Sequence, residues 1–326
     1  MITHTQAVII PEPGKVELST VTLRAPGPDD VVVQTAYTSI SAGTERMLLA
    51  GQMPHPMLRL PVVPGYETVG RIVELGANVP TEWHGRWVYV GGGHCYEGIN
   101  AAWGGQSATL FADYKRVIPL DGVDPRQGVL LALAATALHG IDLLNLTPDS
   151  RILVLGQGPV GQLATRFAQG QGAWVASADR VTSRLAHSVG DRVVNVAAES
   201  LKEAIAEPVS VIIEATGSME ALASALPLLG NGGVILLLGY YQTLQLPYMP
   251  LFLKEAKLLT AKEWSPGDLL RCRDQIASGK LDVSSMLTHE LPISDVTTAY
   301  EVALTDQDCL KLVLDWTAVQ PNKKEM

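Results

Sequence analysis

The sequence predicts an α/β fold in which a mostly β first part is followed by a doubly wound parallel sheet. Three observations predict it. In the first third, short strands at Gln6–Ile10, Val31–Tyr37, Val69–Leu75 and Arg86–Val90 are separated by Pro- and Gly-rich loops. From Arg151 the strands become continuous apolar runs, Ile152–Leu155, Trp174–Ser177, Val209–Ile213 and Val234–Leu238, alternating with helical stretches. Such runs are buried on both faces, which is the condition of a parallel sheet covered by helices. After Lys262 the alternation stops, and an amphipathic stretch, Leu269–Ser278, leads toward a last strand at Leu310–Leu314.

Composition narrows the function. With 47% apolar and 17% charged residues, a chain of 326 residues buries a sizeable core in more than one domain. The 24 basic and 33 acidic residues give a net charge of −9, so no basic surface large enough to hold nucleic acid by neutralising phosphates is implied, and no nucleic-acid partner is expected. Met1–Gln6 lacks the charged-then-apolar pattern of a secretory leader. The stretch Val129–Leu146 is broken by Thr136, His139, Gly140 and Asp142, so it reads as a buried helix and no integral membrane association is expected. Cys95, Cys272 and Cys309 are too few and too scattered for a disulfide framework, which fits a reducing cytoplasm. The tail Gln320–Met326 is expected to be disordered.

The chemistry-bearing motif is Gly156-Gln157-Gly158-Pro159-Val160-Gly161, which follows the strand Ile152–Leu155 and opens the helical run Gln162–Gln169. In that context it is a dinucleotide-binding, Rossmann-type turn. Gly156 makes the tight turn, Gly158 lets the backbone approach a pyrophosphate, Gly161 lets helix and strand pack closely, and the helix N-terminus favours the anion. Asp179 ends the next strand, where a carboxylate accepts the ribose hydroxyls of an adenosine, so NAD is expected rather than NADP. Arg180 beside it is a guanidinium that could instead hold a 2′-phosphate or stack on adenine.

The chain resembles the medium-chain dehydrogenase/reductase superfamily from Val31 to Trp316. The resemblance is carried by Ile40-Ser41-Ala42-Gly43-Thr44-Glu45, Pro64-Gly65-Tyr66-Glu67-Thr68-Val69-Gly70, the glycine turn, Glu214-Ala215-Thr216-Gly217, Gly232-Gly233-Val234 and Leu287-Thr288-His289. It implies a GroES-like β domain over 1–123, a Rossmann domain over 124–262, and a C-terminal segment, 263–326, that completes the first domain across a cleft from the second. It also implies that Thr136, Thr216 and Gly239 join Gly156, Gly158, Pro159, Val160, Gly161, Asp179 and Arg180 in holding the cofactor, and it leaves a homodimer through the sheet edge open. Within the superfamily the chain is similar to the hydroxyethyl-bacteriochlorophyllide dehydrogenases through Leu131-Ala132-Leu133-Ala134-Ala135-Thr136-Ala137, Glu263-Trp264-Ser265-Pro266-Gly267-Asp268-Leu269 and Cys309-Leu310-Lys311-Leu312-Val313-Leu314-Asp315-Trp316. That similarity implies oxidation of a secondary alcohol on a chlorin-type pigment, in a cytoplasmic enzyme peripheral to the photosynthetic membrane.

Departures from the superfamily pattern are informative as well. Where zinc alcohol dehydrogenases carry Cys and His ligands this chain has Ser41 and Tyr66, and Cys95 is all that stands for their four-cysteine lobe. Those hard or neutral groups cannot assemble a closed tetrahedral zinc site, so a metal-free enzyme is expected. Alcohol oxidation then needs a side chain to take over at the substrate oxygen. The candidate catalytic set is Tyr66, Glu67, His139 and Ser41. Tyr66 is either a hydrogen-bond donor to the reacting oxygen or a packed core phenol. Glu67 is either a proton relay or a brace of its loop. His139, three residues after Thr136 on one helix, is either a relay or a satisfied junction histidine. His94 and Tyr96 are weaker candidates. A broad apolar cleft for the pigment would draw on Met53–Leu58, Trp103, Tyr240, Tyr241 and Trp264, with His55 as a magnesium ligand. The rival readings are a metal-free NADPH-dependent quinone or enoyl reductase, and a pigment- or nucleotide-binding relative without turnover.

Overall fold

The structure is a computed structural model that describes residues 2–53 and 59–319. His55 and its neighbours 54–58, and the tail 320–326, lie outside the described residues. The chain divides into two compact units, one formed by 1–132 with 287–326 and the other by 133–286.

The first unit is organised by the strand Asp30–Ser39, which is buried along nearly its whole length. Its β-branched run Val31-Val32-Val33 suits a pleated surface packed on both sides. One edge of this strand pairs antiparallel with Thr68–Leu75. The other edge is shared: Thr109–Asp113 covers the first half, Asp30 to Gln34, and the C-terminal strand Leu312–Asp315 covers the second half from Tyr37 to Ser39. The sheet continues through Trp87–Val90 and Val117–Pro119 on one side and His289–Pro292 on the other. A three-stranded sheet of His4–Ile9, Glu17–Leu23 and Tyr96–Glu97 accompanies it. The helix Val296–Thr305 buries Val296, Ala299 and Tyr300, in a core that also holds Ile40, Leu312, Leu314 and Trp316.

The second unit holds six parallel strands in the spatial order Arg192–Asn195, Trp174–Asp179, Arg151–Leu155, Val209–Glu214, Leu229–Leu237 and Lys257–Thr260. Numbered along the chain this is 3-2-1-4-5-6, the doubly wound order that leaves a ligand crevice where the winding reverses. Here that point lies between the strands ending at Leu155 and Glu214. The helix Pro159–Gly170 starts with Pro in its first turn, where the missing N–H costs nothing, and buries Leu163, Ala164, Phe167 and Ala168.

Two of these strands, Arg192–Asn195 and Lys257–Thr260, give no apolar run in the sequence because both are sheet edges with mostly exposed side chains. The second unit boundary also falls later than residue 263. The helix Asp268–Ala277 lies in the parallel-sheet unit, because its buried Asp268 and Cys272 and the Arg271–Asp142 ion pair tie it to the helix Leu131–Asp142. No helix among the described residues is long and apolar enough to cross a membrane.

The glycine turn has a steric requirement of its own. A Cβ on Gly161 would collide with the Gly156 carbonyl oxygen and lie 2.9 Å from its carbon, whereas one on Gly170, at the other end of the same helix, meets nothing within 4 Å. Gly161→Ala is therefore expected to lower unfolding stability by about 1–3 kcal/mol, the usual cost of overpacking, with Gly170→Ala unaffected. Urea denaturation of both variants checks this, and equal midpoints would refute it.

Candidate active site

In the second unit the candidate cofactor residues stand at the C-terminal ends of the parallel strands. Gly156 has φ +88°, a left-handed conformation that glycine adopts without strain, and its N–H donates to the Ala178 carbonyl at 2.8 Å. A Cβ at Gly156 would lie 2.8 Å from Thr216 Cγ2, and one at Gly239 would lie 2.7 Å from both Glu214 Oε2 and the Gly217 nitrogen. Gly156, Thr216 and Gly239, placed together by the sequence reading, are thus neighbours. At Gly158 a Cβ meets nothing, so the absence of a side chain there leaves open space, as a pyrophosphate cradle needs. Asp179 is braced: its Oδ2 accepts the Gln157 N–H at 2.7 Å and its Oδ1 the Val181 N–H at 2.9 Å. Two backbone donors fix the carboxylate without exhausting its acceptor capacity. Arg180 is exposed.

Glu214 holds this floor together from below. It is fully buried and accepts from the Thr216 hydroxyl, from Thr216 N at 2.7 Å and from Gly217 N at 3.1 Å. Burial pushes its carboxyl above the ordinary range, against the pull of those donors.

A second cluster of candidate residues lies in the first unit. Gly65, at φ +95°, turns the chain so that Tyr66 leaves the sheet, and a Cβ there would strike the side chain of Gln106. The Tyr66 carbonyl accepts from the Tyr89 hydroxyl at 2.7 Å, and Trp103 packs edge-on to the ring with centroids 5.3 Å apart. The Tyr66 hydroxyl lies 2.6 Å from Ser41 Oγ and 3.3 Å from Thr44 Oγ1. Ser41 occupies the N-cap of the helix Ala42–Leu49, yet its side chain caps nothing. A hydroxyl that normally serves the helix is turned to the phenol instead. Burial, seconded by the Glu67 carboxylate, pushes the Tyr66 phenol well above its usual range. It is therefore a protonated hydroxyl at neutral pH, a donor rather than a base.

Glu67 points inward, where its Oε2 accepts from the Ser39 hydroxyl and from the ammonium of Lys311. Both ionic partners are buried, and Lys311 also donates to the Ile40 carbonyl at 3.1 Å. Beside them Glu45 accepts the Ser41 backbone N–H at 3.0 Å, the Tyr300 hydroxyl, and the Gln106 amide at 3.4 Å. Burial pushes Glu45 up to about 7.

Ser41, Tyr66 and Glu67 thus share one locality. His139 belongs to the other unit, with its Nδ1 3.1 Å from Ser265 Oγ and 3.8 Å from Asp268 Oδ2. Tyr96 is spent on structure, donating to the Gly104 carbonyl at 2.6 Å. Sequence reasoning missed Glu45, Lys311, Tyr300 and Glu214 as site residues. Glu45, Lys311 and Glu214 stand inside motifs already singled out, and for Lys311 a basic residue within an otherwise apolar run was the available signal.

Comparison with known proteins follows this division. Residues 27–122 match the family model described as alcohol dehydrogenase GroES-like domain, and residues 159–268 the one described as zinc-binding dehydrogenase. A curated relative from Cereibacter sphaeroides, 2-desacetyl-2-hydroxyethyl bacteriochlorophyllide A dehydrogenase, is 35% identical over 97% of this chain and 99% of its own. Among solved structures, an alcohol dehydrogenase from E. coli CFT073 in complex with NADH superposes with TM-score 0.84 at 22% identity, covering 96% of this chain and 99% of that one. A protein assigned as a zinc-binding dehydrogenase from Sinorhizobium meliloti 1021, bound to NADP, gives 0.83 at 24%, with the same coverage. At those identities the two structures establish the fold alone.

Glu45 carries a pH signature. Its carboxyl titrates near 4.5 when unfolded and about 7 when folded. The stability it contributes is fully present below the unfolded value and is lost as pH rises through about 7. Glu45→Gln is therefore expected to flatten the fall of unfolding free energy between about pH 5 and pH 7. Chemical denaturation of both proteins across that window is the check, and parallel curves would show that Glu45 titrates normally.

Proposed function

The chain belongs to the medium-chain dehydrogenase/reductase superfamily, and from that premise we propose that it oxidises the 1-hydroxyethyl group of a bacteriochlorophyllide-type chlorin to acetyl, using NAD⁺ and no zinc. The observation that carries this reading is the 35% identity to a hydroxyethyl bacteriochlorophyllide dehydrogenase over nearly the full length of both chains. When bound, the nicotinamide supplies the hydride acceptor. The groups that would hold it are the open backbone at Gly158, the helix N-terminus at Pro159–Gly161, Thr216, Gly239 and the braced Asp179. An anionic carboxylate at the ribose favours two hydroxyls over a 2′-phosphate, which supports NAD over NADP.

Zinc does not fit the residues in its superfamily position. Ser41 offers a hydroxyl, Tyr66 a phenol that holds its proton, and Glu67 a carboxylate whose Oε2 is already engaged by an ammonium, leaving Oε1 as the one negatively charged oxygen among the three. Zinc sites of this class require thiolates and imidazoles. Among the described residues no group of three His, Cys, Asp or Glu side chains gathers to replace them.

Without a Lewis acid the substrate oxygen must be stabilised by hydrogen bonding, and Tyr66 is the donor assigned here. Ser41 and Thr44 fix its hydroxyl by holding the phenol oxygen from two sides. A preorganised donor strengthens its bond as charge builds on the alcohol oxygen, which lowers the barrier rather than merely tightening binding.

The reading is tested with purified protein, a 3-(1-hydroxyethyl) chlorophyllide and either nucleotide. Absorbance of reduced nicotinamide should appear with NAD⁺ at higher kcat/KM than with NADP⁺, and should persist after chelation. Equal or better use of NADP⁺ overturns the cofactor assignment. Stoichiometric zinc whose removal abolishes turnover overturns the metal-free one.

Tyr66→Phe should lower kcat by roughly 10²–10³, the usual effect of removing one such donor, while the Kd for NAD⁺ is unchanged. If kcat stays within about threefold, less than ~1 kcal/mol by transition-state arithmetic, Tyr66 is a packing residue and His139 takes its place.

A further inference from the structure

Among the described residues Lys311 is the only Lys or Arg whose side chain is buried, and it lies in the C-terminal motif to which no role has yet been given. It stands immediately before the strand Leu312–Asp315. Its ammonium meets Glu67 Oε2 and the Ile40 carbonyl, and Glu67 Oε2 also accepts from Ser39. The other oxygen, Glu67 Oε1, is buried with no hydrogen-bond partner. Among the described residues the countercharge in contact with this carboxylate is therefore Lys311, supported by one hydroxyl.

The charges around the pair make that balance matter to the phenol. From the loop bearing Tyr66 comes Glu67 itself. From the helix Ala42–Leu49 comes Glu45, a second buried carboxyl whose proton affinity is raised chiefly by burial and further by Glu67, and lowered by its hydrogen bonds and by Lys311. From the helix Val296–Thr305 comes the neutral Tyr300, and from the strand Trp87–Val90 the neutral Tyr89. Glu67, and Glu45 whenever it ionises, thus face one ammonium. An uncompensated negative charge one residue from Tyr66 would oppose electron density developing on any oxygen that Tyr66 holds.

We propose that Lys311 is the positioning residue of the site: acting through Glu67, it fixes the loop that carries Tyr66 and cancels the carboxylate's field at the phenol. This rests on the reading of Tyr66 as the donor to the substrate oxygen. Breaking a buried pair from one side leaves an unpaired charge, whereas removing both charges together does not. Rates that respond to the charge balance distinguish this role from simple bracing.

The experiment measures kcat with the 3-(1-hydroxyethyl) chlorophyllide, and the Kd for NAD⁺, in Lys311→Met, Glu67→Gln and the double variant. Lys311→Met is expected to lose at least tenfold in kcat with the NAD⁺ Kd within twofold of the unmodified protein. The double variant should recover most of that loss. The Lys311→Met effect should also shrink to under threefold in a Tyr66→Phe background, because residues acting through one another are not additive. If Lys311→Met does not fold, the double variant is compared with Glu67→Gln and should be the faster of the two.

A double variant no faster than either single variant, or a Lys311→Met effect of the same size with and without the Tyr66 hydroxyl, overturns the proposal. Should Tyr66→Phe alone keep its kcat, the reading of Tyr66 falls instead, so the two failures are told apart.

Discussion

Taking a carboxylate out of water costs several kcal/mol unless its charge and lone pairs are met, and the first unit does this at Glu67, next to Tyr66, and again at Glu45. Much of that unit's connectivity answers the demand. Glu67 draws in Ser39 and Lys311, while Glu45 draws in Ser41, Tyr300 and Gln106. Gln106 accepts in turn from Thr38, and Thr38 from the indole of Trp316 at 2.8 Å. The polar interior therefore runs from residue 38 to residue 316, so the strand, both helices and the Tyr66 loop are fixed by one set of obligations. A half-satisfied network of this kind is worse than an apolar core, which is why so many elements converge on it.

The parallel-sheet unit obeys a different constraint, the steric one of backbone approaching backbone. The strand ends at Leu155 and Glu214 lie in register beside each other, and the turn that follows the first admits no Cβ at Gly156 or Gly161. Glu214 spends its carboxylate on the amides of the next turn, so that turn keeps its shape with no ligand required to order it. One unit thus fixes its site with buried charge and the other with excluded volume.

That difference explains what was legible in the sequence. The glycine turn, Asp179 and the interior strands are local patterns, and each is read from residues close together in the chain. Arg192–Asn195 and Lys257–Thr260 escaped because an edge strand need not be apolar. The helix at Val129–Leu146 was found but is shorter, Leu131–Asp142, its start tightening into a 3₁₀ turn over Gln127–Leu130. The Glu67–Lys311 and Glu45–Tyr300 contacts join residues 244 and 255 positions apart, and no window on the sequence relates them. Ser41 and Tyr66 were read as substitutes for metal ligands. That they bond each other became visible only with Gly65 setting the direction of the loop.

The shared edge of the strand Asp30–Ser39 has a consequence for how the protein comes into being. Its second half is covered by Leu312–Asp315, with Val313 opposite Ser39 and Asp315 opposite Tyr37. During synthesis that register cannot form until residues 312–315 have left the ribosome. The strands of the parallel sheet all lie between Arg151 and Thr260, so that sheet can close before residues 312–315 emerge. The strand Asp30–Ser39 is thus completed only after the parallel sheet can close, and until then its second half presents an open edge of unpaired backbone groups, the kind of surface that chaperones shield and that pairs wrongly when they do not.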